Sequence, residues 1–311
     1  MPRHTLLQGG ATGLNKPKIL FPMYRISDFR SQLLDVLLTE IVPKGEAWLG
    51  SHRAFQEAAG TFQLGKQNQE PERNPEKEGS RMPEVIINGP AGRIEGRYHH
   101  ESSPGAPIAI ILHPHPQFGG TMNNQIVYSL YYTYVQRGFS VLRFNFRGVG
   151  RSQGIFDQGP GELSDAATAL DWLQLANPDA KSCWIAGVSF GSWIAMQLLM
   201  RRPEIDGFIA VAPPANLYDF SFLAPCPSSG LMINGDRDRV VPANSVKTLV
   251  DKLKTQKGIV VSHEIVPGAN HFFEDKIDDL IAAVEKYLDK RSLATPKPSR
   301  KEKVQQESEL K

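Results

Sequence analysis

The chain lacks several features that would mark a disulfide-stabilised, membrane-spanning or nucleic-acid-binding protein. It has only two cysteines, Cys183 and Cys226, in 311 residues, and its formal net charge is +2. Both cysteines fall in predicted strands and are expected to be reduced core residues. The low net charge leaves no strong basic footprint for a nucleic acid. No apolar run reaches the roughly 20 residues that span a bilayer.

The amino terminus also lacks the pattern of a secretory signal. Leu6-Leu7 is followed directly by Gln8-Gly9-Gly10, which is too short an apolar stretch. Together with the reduced cysteines, this predicts a cytoplasmic protein with no membrane partner and no nucleic-acid partner. The sequence does not indicate an oligomeric state.

The composition divides the chain into three parts. Residues 1–81 are predicted to form an N-terminal extension, with one amphipathic helix at Ser27–Val42 and then a disordered linker. Residues 82–290 have the composition of a folded α/β domain, and the charged tail at 291–311 is predicted to be disordered. Because Met82 directly precedes the first predicted strand, the extension is interpreted as an added arm or an upstream extension of the reading frame. It is expected to be dispensable for folding and activity.

Within the folded part, a strand hairpin precedes a regular alternation of apolar strands and amphipathic helices. The predicted strands are Glu84–Asn88, Gly92–Tyr98, Pro107–Leu112, Phe139–Phe146, a strand ending at Val188, Gly207–Val211, Gly230–Asn234 and Gly258–Val266. The predicted helices are Asn123–Arg137, Gly161–Ala176, Phe190–Arg202, Ala243–Thr255 and Phe272–Lys290. This alternation predicts an α/β fold with a mostly parallel sheet and helices on both faces.

A G-x-S-x-G motif, Gly187 to Gly191, lies between a predicted strand and a predicted helix. A serine hydroxyl is a weak nucleophile unless a sharp turn exposes it beside a base. Such a turn leaves no room for a Cβ two residues before or after Ser189, and glycine meets that demand. The following helix directs the positive end of its dipole at the reaction centre. The motif alone is also compatible with a glycine-rich turn between two core elements. The rest of the sequence must therefore distinguish a nucleophilic serine from a structural turn.

Two further polar segments follow later strands, at the sheet edge where open α/β folds place their sites. Gly235–Pro242 contains Asp236 and Asp238, and Gly268–Phe272 contains His271. The order serine, aspartate, histidine along the chain is that of the catalytic triad in α/β-hydrolases.

Several segments resemble those of the α/β-hydrolase superfamily, in particular the small, lidless bacterial hydrolases related to dienelactone hydrolases and serine aminopeptidases. The segments are Leu112–Met122, Leu142–Ser152, Trp184–Ile194, Asn234–Asp238 and Gly268–His271. The resemblance covers 82–290 and implies an α/β-hydrolase fold without a lid domain. It also implies Ser189 as nucleophile, His271 as base and Asp238 as the orienting acid, because the family's acid usually lies three residues past the glycine that ends its strand. Asp236 would then shape the turn or pair with an arginine.

An oxyanion hole requires two backbone N–H groups near the reacting carbonyl. One is predicted at Phe190, directly after the nucleophile. The other is expected from the loop after the third strand, where Pro114 has no N–H to give. Alignment with the family pattern gives His115 as this second donor, with Gln117 as the alternative.

Other motifs have simpler interpretations. His99, His100, His113 and His115 lack the carboxylate or cysteine spacing of a metal site, so no metal is expected. We interpret His113 as a hydrogen-bonding residue that organises its loop. The glycine-rich segment Gly148–Gly154 has the wrong spacing for a dinucleotide fingerprint.

The sequence therefore predicts a serine hydrolase that cleaves a small ester, thioester or amide through an acyl-enzyme on Ser189. It is expected to need no cofactor, and its partner is a small-molecule acyl substrate. The alternatives are an aminopeptidase-type peptidase and a noncatalytic binding protein on a hydrolase fold. Only Pro213–Ser229 separates the strands between which a cap is usually inserted, so the site is expected to be open and to favour short acyl groups.

Overall fold

The computed structural model describes residues 83–293. The predicted helix at Ser27–Val42, the linker after it and residues 294–311 of the tail lie outside the described part. Within that part, a hairpin is followed by alternating strands and helices.

The strands form a single sheet. They are β1 (Glu84–Gly89), β2 (Gly92–His99), β3 (Ile108–Leu112), β4 (Ser140–Phe144), β5 (Cys183–Val188), β6 (Ile205–Val211), β7 (Ser229–Gly235) and β8 (Val261–Val266). Their order in the eight-stranded sheet is β1-β2-β4-β3-β5-β6-β7-β8. β2 pairs antiparallel with both β1 and β4, and the other pairings are parallel. The predicted mostly parallel sheet with an antiparallel N-terminal hairpin is confirmed.

Helices cover both faces of this sheet. They are α1 (Gln125–Val135), α2 (Pro160–Ala176), α3 (Phe190–Leu199), α4 (Ala243–Lys254) and α5 (Ile277–Leu293). In β3, Ile110 packs in one core with α2, α3 and α4, whereas Ile111 packs in the other core with α1 and α5. Alternate strand residues point to opposite faces, so a strand covered on both sides must be apolar throughout. Among the described helices, none combines the length and apolar character that crossing a bilayer requires.

Two predicted element boundaries are wrong because the backbone enters left-handed regions that apolar periodicity does not reveal. α5 begins at Ile277 rather than at Phe272, since Phe273 and Asp275 have φ of 54° and 56°. β8 begins at Val261 rather than at Gly258, whose φ is 86°. α5 also continues past Lys290 to Leu293, so the first residues of the predicted tail are helical.

Helix α2 turns two carboxylates inward, contrary to its apolar pattern. Glu162 is fully buried, and its oxygens accept hydrogen bonds from the N–H groups of Asp157 at 2.8 Å and Gly159 at 2.7 Å. Asp165 forms a bidentate pair with the Arg147 guanidinium, with N–O distances of 2.8 and 2.9 Å. Buried carboxylates are costly unless their oxygens are satisfied, and these contacts fix the connection between β4 and α2 that precedes the helix.

The connection between β6 and β7 contains no helix or strand in the described chain, and thus no lid. The indole Nε1 of Trp193 in α3 donates to the Asp219 carbonyl of this connection at 3.1 Å. The Asn216 side-chain amide donates to the Val240 carbonyl at 2.9 Å. The connection is thereby tied to the loops at the carboxyl edge of the sheet, which it leaves uncapped. The predicted absence of a lid domain is confirmed.

Both cysteines are buried free thiols, as the sequence predicts. Burial raises the pKa of the Cys183 and Cys226 thiols, so neither is a thiolate at neutral pH. Neither residue therefore has the character of a thiol nucleophile.

Candidate functional site

Ser189 occupies a strained turn between β5 and α3. Its φ of 50° and ψ of −121° are unusual for a residue with a side chain. The Ser189 N–H donates to the Val211 carbonyl at 2.8 Å, which holds the turn in place. A Cβ on Gly191 would lie 2.6 Å from the Leu112 carbonyl oxygen, and one on Gly187 would lie 2.6 Å from the Gly191 carbonyl carbon. This close approach explains why both positions are glycine.

Side chains from three separate loops form one hydrogen-bonded chain. His271 Nε2 lies 3.0 Å from Ser189 Oγ, and His271 Nδ1 lies 2.8 Å from Asp238 Oδ2. All three residues are less than 9 % exposed. A carboxylate at Nδ1 holds the proton on that nitrogen, which leaves Nε2 free to accept the serine proton.

The two candidate aspartates have different partners. Asp238 Oδ1 accepts hydrogen bonds from the N–H groups of Val240 at 2.9 Å and Val241 at 2.7 Å, while its other oxygen reaches His271. Asp236 instead accepts the N–H of Gly268 at 2.6 Å and so ties together the loops after β7 and β8. The structure therefore places Asp238 in the hydrogen-bonded chain with His271 and Ser189, whereas Asp236 lies in the turn after β7.

The amide of Phe190 is the first of helix α3, and a first-turn N–H has no acceptor within its own helix. It follows Ser189 directly, at the positive end of the helix dipole. The Ser192 hydroxyl donates to the Ser189 carbonyl at 2.6 Å and so helps to fix this first turn. This amide is therefore the predicted hydrogen-bond donor to an oxygen anion formed next to Ser189 Oγ.

His113 holds the loop after β3 against the loop after β4. Its Nε2 accepts the N–H of Phe146 at 3.0 Å, so Nδ1 carries the ring proton and donates to the Pro114 carbonyl at 2.6 Å. Complete burial lowers the pKa of His113 to about 3. The ring is neutral, and its contacts are those expected of a loop-organising residue.

The loop that carries His115 uses several of its own amides. Gln117, the alternative second donor, gives its N–H to His115 Nδ1 at 3.2 Å. Phe118 and Gly120 donate to the His115 carbonyl at 3.1 and 3.0 Å. Burial, and then the neighbouring His113, lower the pKa of the His115 ring to about 3. The Gln117 amide is therefore occupied, which argues against this alternative second donor.

Two of the four histidines considered as metal ligands, His100 and His113, have hydrogen-bond partners of their own. The Tyr98 hydroxyl lies 2.9 Å from His100 Nδ1, and His113 bonds to backbone groups. In residues 83–293, no group of three or more metal-ligating side chains is placed to hold an ion.

A buried polar network beneath the site was not foreseen from the sequence. Glu95 Oε2 accepts from the Asn145 side-chain amide at 2.9 Å and from the Arg151 N–H at 2.8 Å. Asn145 Oδ1 accepts the Met122 N–H at 2.8 Å, which links the loops after β3 and β4. Its only signal in the sequence is the polar composition of the Leu142–Ser152 segment, which does not reveal Glu95 as the partner.

Acid should destabilise the fold through the two buried histidines of the loop after β3. His113 and His115 have a pKa of about 3 in the fold, against about 6.5 in an unfolded chain. The unfolded chain therefore binds more protons between these values, and the free energy of unfolding should fall as the pH drops from about 6.5 toward 3. Urea unfolding at a series of pH values measures this slope.

The matched variant for this test is His113→Gln, whose amide can still accept from Phe146 and donate to Pro114. Its unfolding free energy should depend less steeply on pH than that of the wild type, because one of the protons taken up on unfolding is absent. Identical slopes in the two proteins between pH 6.5 and 4 would contradict a neutral, buried His113.

Comparisons with known proteins identify the family and the fold of this chain. Residues 73–236 match the family model described as X-Pro dipeptidyl-peptidase (S15 family). ATU1826 from Agrobacterium tumefaciens, a protein of unknown function described as a candidate α/β-hydrolase, is 67% identical, with a TM-score of 0.68 over 70% of this chain and 100% of its own. XC6422 from Xanthomonas campestris, an α/β serine hydrolase without a lid, is 31% identical, with a TM-score of 0.61 over 69% of this chain and 96% of its own. RP471 of Rickettsia prowazekii is 55% identical over 211 residues, which are 67% of this chain and 89% of that protein.

The similarities to the three relatives cover 89% or more of each relative's own length, and the family model matches residues 73–236 of this chain. The family match covers more than half of the chain, and the solved relative XC6422 is described as an α/β serine hydrolase without a lid. The resemblance read from the sequence is thus confirmed. The chain belongs to the S15 family of the α/β-hydrolase superfamily and is a hydrolase without a lid domain.

Proposed function

We propose that the protein is a serine hydrolase that cleaves a small ester, thioester or amide through an acyl-enzyme on Ser189. The hydrogen-bonded chain from Asp238 through His271 to Ser189 Oγ carries this proposal. Acyl transfer needs a nucleophile, a base and a group that orients the base, each within hydrogen-bond reach of the next. The substrate partner is a small acyl compound, and we place the enzyme in the cytoplasm, in keeping with its two free thiols.

In the first half-reaction, Ser189 Oγ attacks the substrate carbonyl while His271 Nε2 accepts the hydroxyl proton. Asp238 stabilises the imidazolium that forms. The carbonyl oxygen becomes an anion that the N–H groups of Phe190 and His115 stabilise. His271 then donates its proton to the leaving group, the bond to that group breaks, and the acyl group remains on Ser189.

In the second half-reaction, water repeats the attack with His271 as its base. The bond between Ser189 Oγ and the acyl carbon breaks, the proton returns to Ser189 Oγ, and the carboxylic acid leaves. The strained backbone at Ser189 keeps Oγ aligned through both steps, because the turn has few other conformations open to it.

A peptidase is the second candidate, and the match to an X-Pro dipeptidyl-peptidase family model favours it. Both reactions use the same acyl transfer, so the triad geometry does not separate them. A noncatalytic binding protein would keep the fold without the reactive serine.

A fluorophosphonate probe and a substrate panel test these alternatives. The probe should label the wild type and the Ser221→Ala control, which alters an exposed serine, but not Ser189→Ala. p-Nitrophenyl butyrate should be hydrolysed with a higher kcat/KM than aminoacyl or Xaa-Pro p-nitroanilides, and rates should fall as the acyl chain lengthens. Higher kcat/KM on the anilides would support the peptidase. Absence of both labelling and turnover would favour a noncatalytic protein.

A further inference from the structure

A continuous row of aromatic rings surrounds the ring of Phe190, the residue directly after Ser189. This aromatic row consists of Phe118, His115, Phe156, Phe190, Trp193 and Tyr218. The ring centroids of His115, Trp193 and Tyr218 lie 4.9, 5.7 and 5.9 Å from that of Phe190. Its members come from four segments at the carboxyl edge of the sheet, so the fold itself assembles the row.

Two rings of the row are buried, and we call them its floor; the other four are partly exposed, and we call them its wall. Phe190 and His115 are 1% and 7% exposed and form the floor. Phe118, Phe156, Trp193 and Tyr218 are half-buried, so part of each ring faces solvent. Trp193 and Tyr218 stack with centroids 4.4 Å apart. An apolar surface of ring faces therefore adjoins the Phe190 amide.

Buried polar contacts fix this wall in place. The segment directly after Phe156 is held by Glu162, which accepts the N–H groups of Asp157 and Gly159. A Cβ on Gly159 would lie 2.7 Å from the Trp193 ring, so this loop also packs tightly on α3. The wall is preformed, which lowers the entropy lost when a ligand binds.

Phe190 and His115, the two predicted oxyanion donors, belong to the row, so the row begins beside the reaction centre. The leaving group must face His271, because His271 Nε2 gives it the proton. The Phe190 amide holds the carbonyl oxygen, and the aromatic row surrounds the Phe190 ring, whereas His271 contacts the ring of Phe272 at 5.4 Å. With the oxygen at the Phe190 amide and the leaving group at His271, the acyl group is the remaining substituent, and it is assigned to the side of the row.

The row presents no formal charge. Burial keeps His115 neutral, and burial together with the nearby Glu162 raises the pKa of Tyr218. The carboxylate of Glu162 is bound by backbone amides, and the Arg147 guanidinium is bound to Asp165. Such a surface fits an uncharged, flat group that makes stacked or edge-to-face contacts.

We propose that the aromatic row is the acyl-binding subsite and that it selects compact, uncharged aromatic acyl groups. This inference rests on the proposed acyl transfer at Ser189 and names its substrate class. Ring-on-ring contacts add binding beyond apolar burial, so an aromatic acyl group should be preferred over an aliphatic one of similar length by about tenfold.

The test compares ethyl esters, which share one leaving group: 3-phenylpropanoate, 3-cyclohexylpropanoate and hexanoate. In the wild type, kcat/KM should be about tenfold higher for phenylpropanoate than for hexanoate, with the cyclohexyl ester between them. Phe156→Leu, which keeps an apolar side chain but removes the ring, should lower this ratio several-fold. Ile155→Ala is the matched control, because Ile155 adjoins Phe156 but is 82% exposed, and it should leave the ratio unchanged.

Failure of this inference is distinct from failure of the proposed function. An enzyme that is labelled by fluorophosphonate and hydrolyses all three esters at similar rates would overturn the subsite but keep the serine hydrolase. So would faster hydrolysis of an ester with a trimethylammonium acyl group. If the wild type hydrolyses none of the esters, the subsite is tested by binding alone. Tryptophan fluorescence then measures the binding of ethyl 3-phenylpropanoate to Ser189→Ala. Adding Phe156→Leu to Ser189→Ala should weaken that binding. Equal binding by the single and the double variant, or no binding by either, would overturn the subsite.

Discussion

Replacing Ser189 by alanine is expected to lower kcat on an ester substrate by a factor on the order of 10⁶. In the proposed mechanism, Ser189 Oγ forms the acyl-enzyme, and His271 Nε2, 3.0 Å away, is the base that activates it. His271→Ala should lose a similar factor. The double variant should be no worse than either single one, because the members of such a chain act as a unit. Steady-state kinetics of the three variants measures this.

Loss of activity must be distinguished from loss of folding, and two control variants do this. Ser221→Ala, in the exposed part of the β6–β7 connection, should keep wild-type turnover. Ser189→Gly should be inactive but at least as stable to heat as Ser189→Ala, because glycine adopts a φ of 50° without strain. Ester hydrolysis near the wild-type rate in a correctly folded Ser189→Ala would end the serine hydrolase proposal.

The course of the sheet was predictable because its strands are covered on both sides. A run such as Ile108–Leu112 is apolar at every position, and the alternation of such runs with amphipathic helices leaves few arrangements other than a parallel sheet. The sharp turn at Ser189 was likewise predictable, because the close backbone approach leaves room only for glycine two residues before and two residues after it. These features depend on local sequence and on rules of strand connection.

Features that depend on distant partners were not predictable. The left-handed backbone at Phe273 and Asp275 interrupts an otherwise helical pattern, and neither residue is glycine. The inward carboxylate of Glu162 looks like a surface charge until the loop that it caps is in place. The aromatic row joins segments far apart in the chain, and sequence spacing carries no sign of their meeting. The occupied amide of Gln117 depends on a ring orientation that sequence does not specify.

Asp238→Asn is expected to cost far more activity than Asp236→Asn, with kcat/KM lowered by on the order of 10⁴. Asp238 Oδ2 accepts a hydrogen bond from His271 Nδ1 at 2.8 Å, which holds the ring proton on that nitrogen. An amide in its place can present its N–H to Nδ1 and so hold the other tautomer. His271 Nε2 would then carry a proton and could no longer accept one from Ser189.

Asp236→Asn is the matched comparison, since it makes the same chemical change two residues earlier in the same loop. Asp236 Oδ1 only accepts the Gly268 N–H, and the amide oxygen of asparagine can still accept it, so activity should change by a few-fold at most. Measuring kcat/KM for both variants on one ester ranks them directly. Asp236 and Asp238 both connect the loops after β7 and β8. A general loss of loop order would therefore lower kcat/KM by similar factors in the two variants. Only the specific loss in Asp238→Asn assigns the orienting role to that carboxylate, and the reverse ranking would transfer it to Asp236.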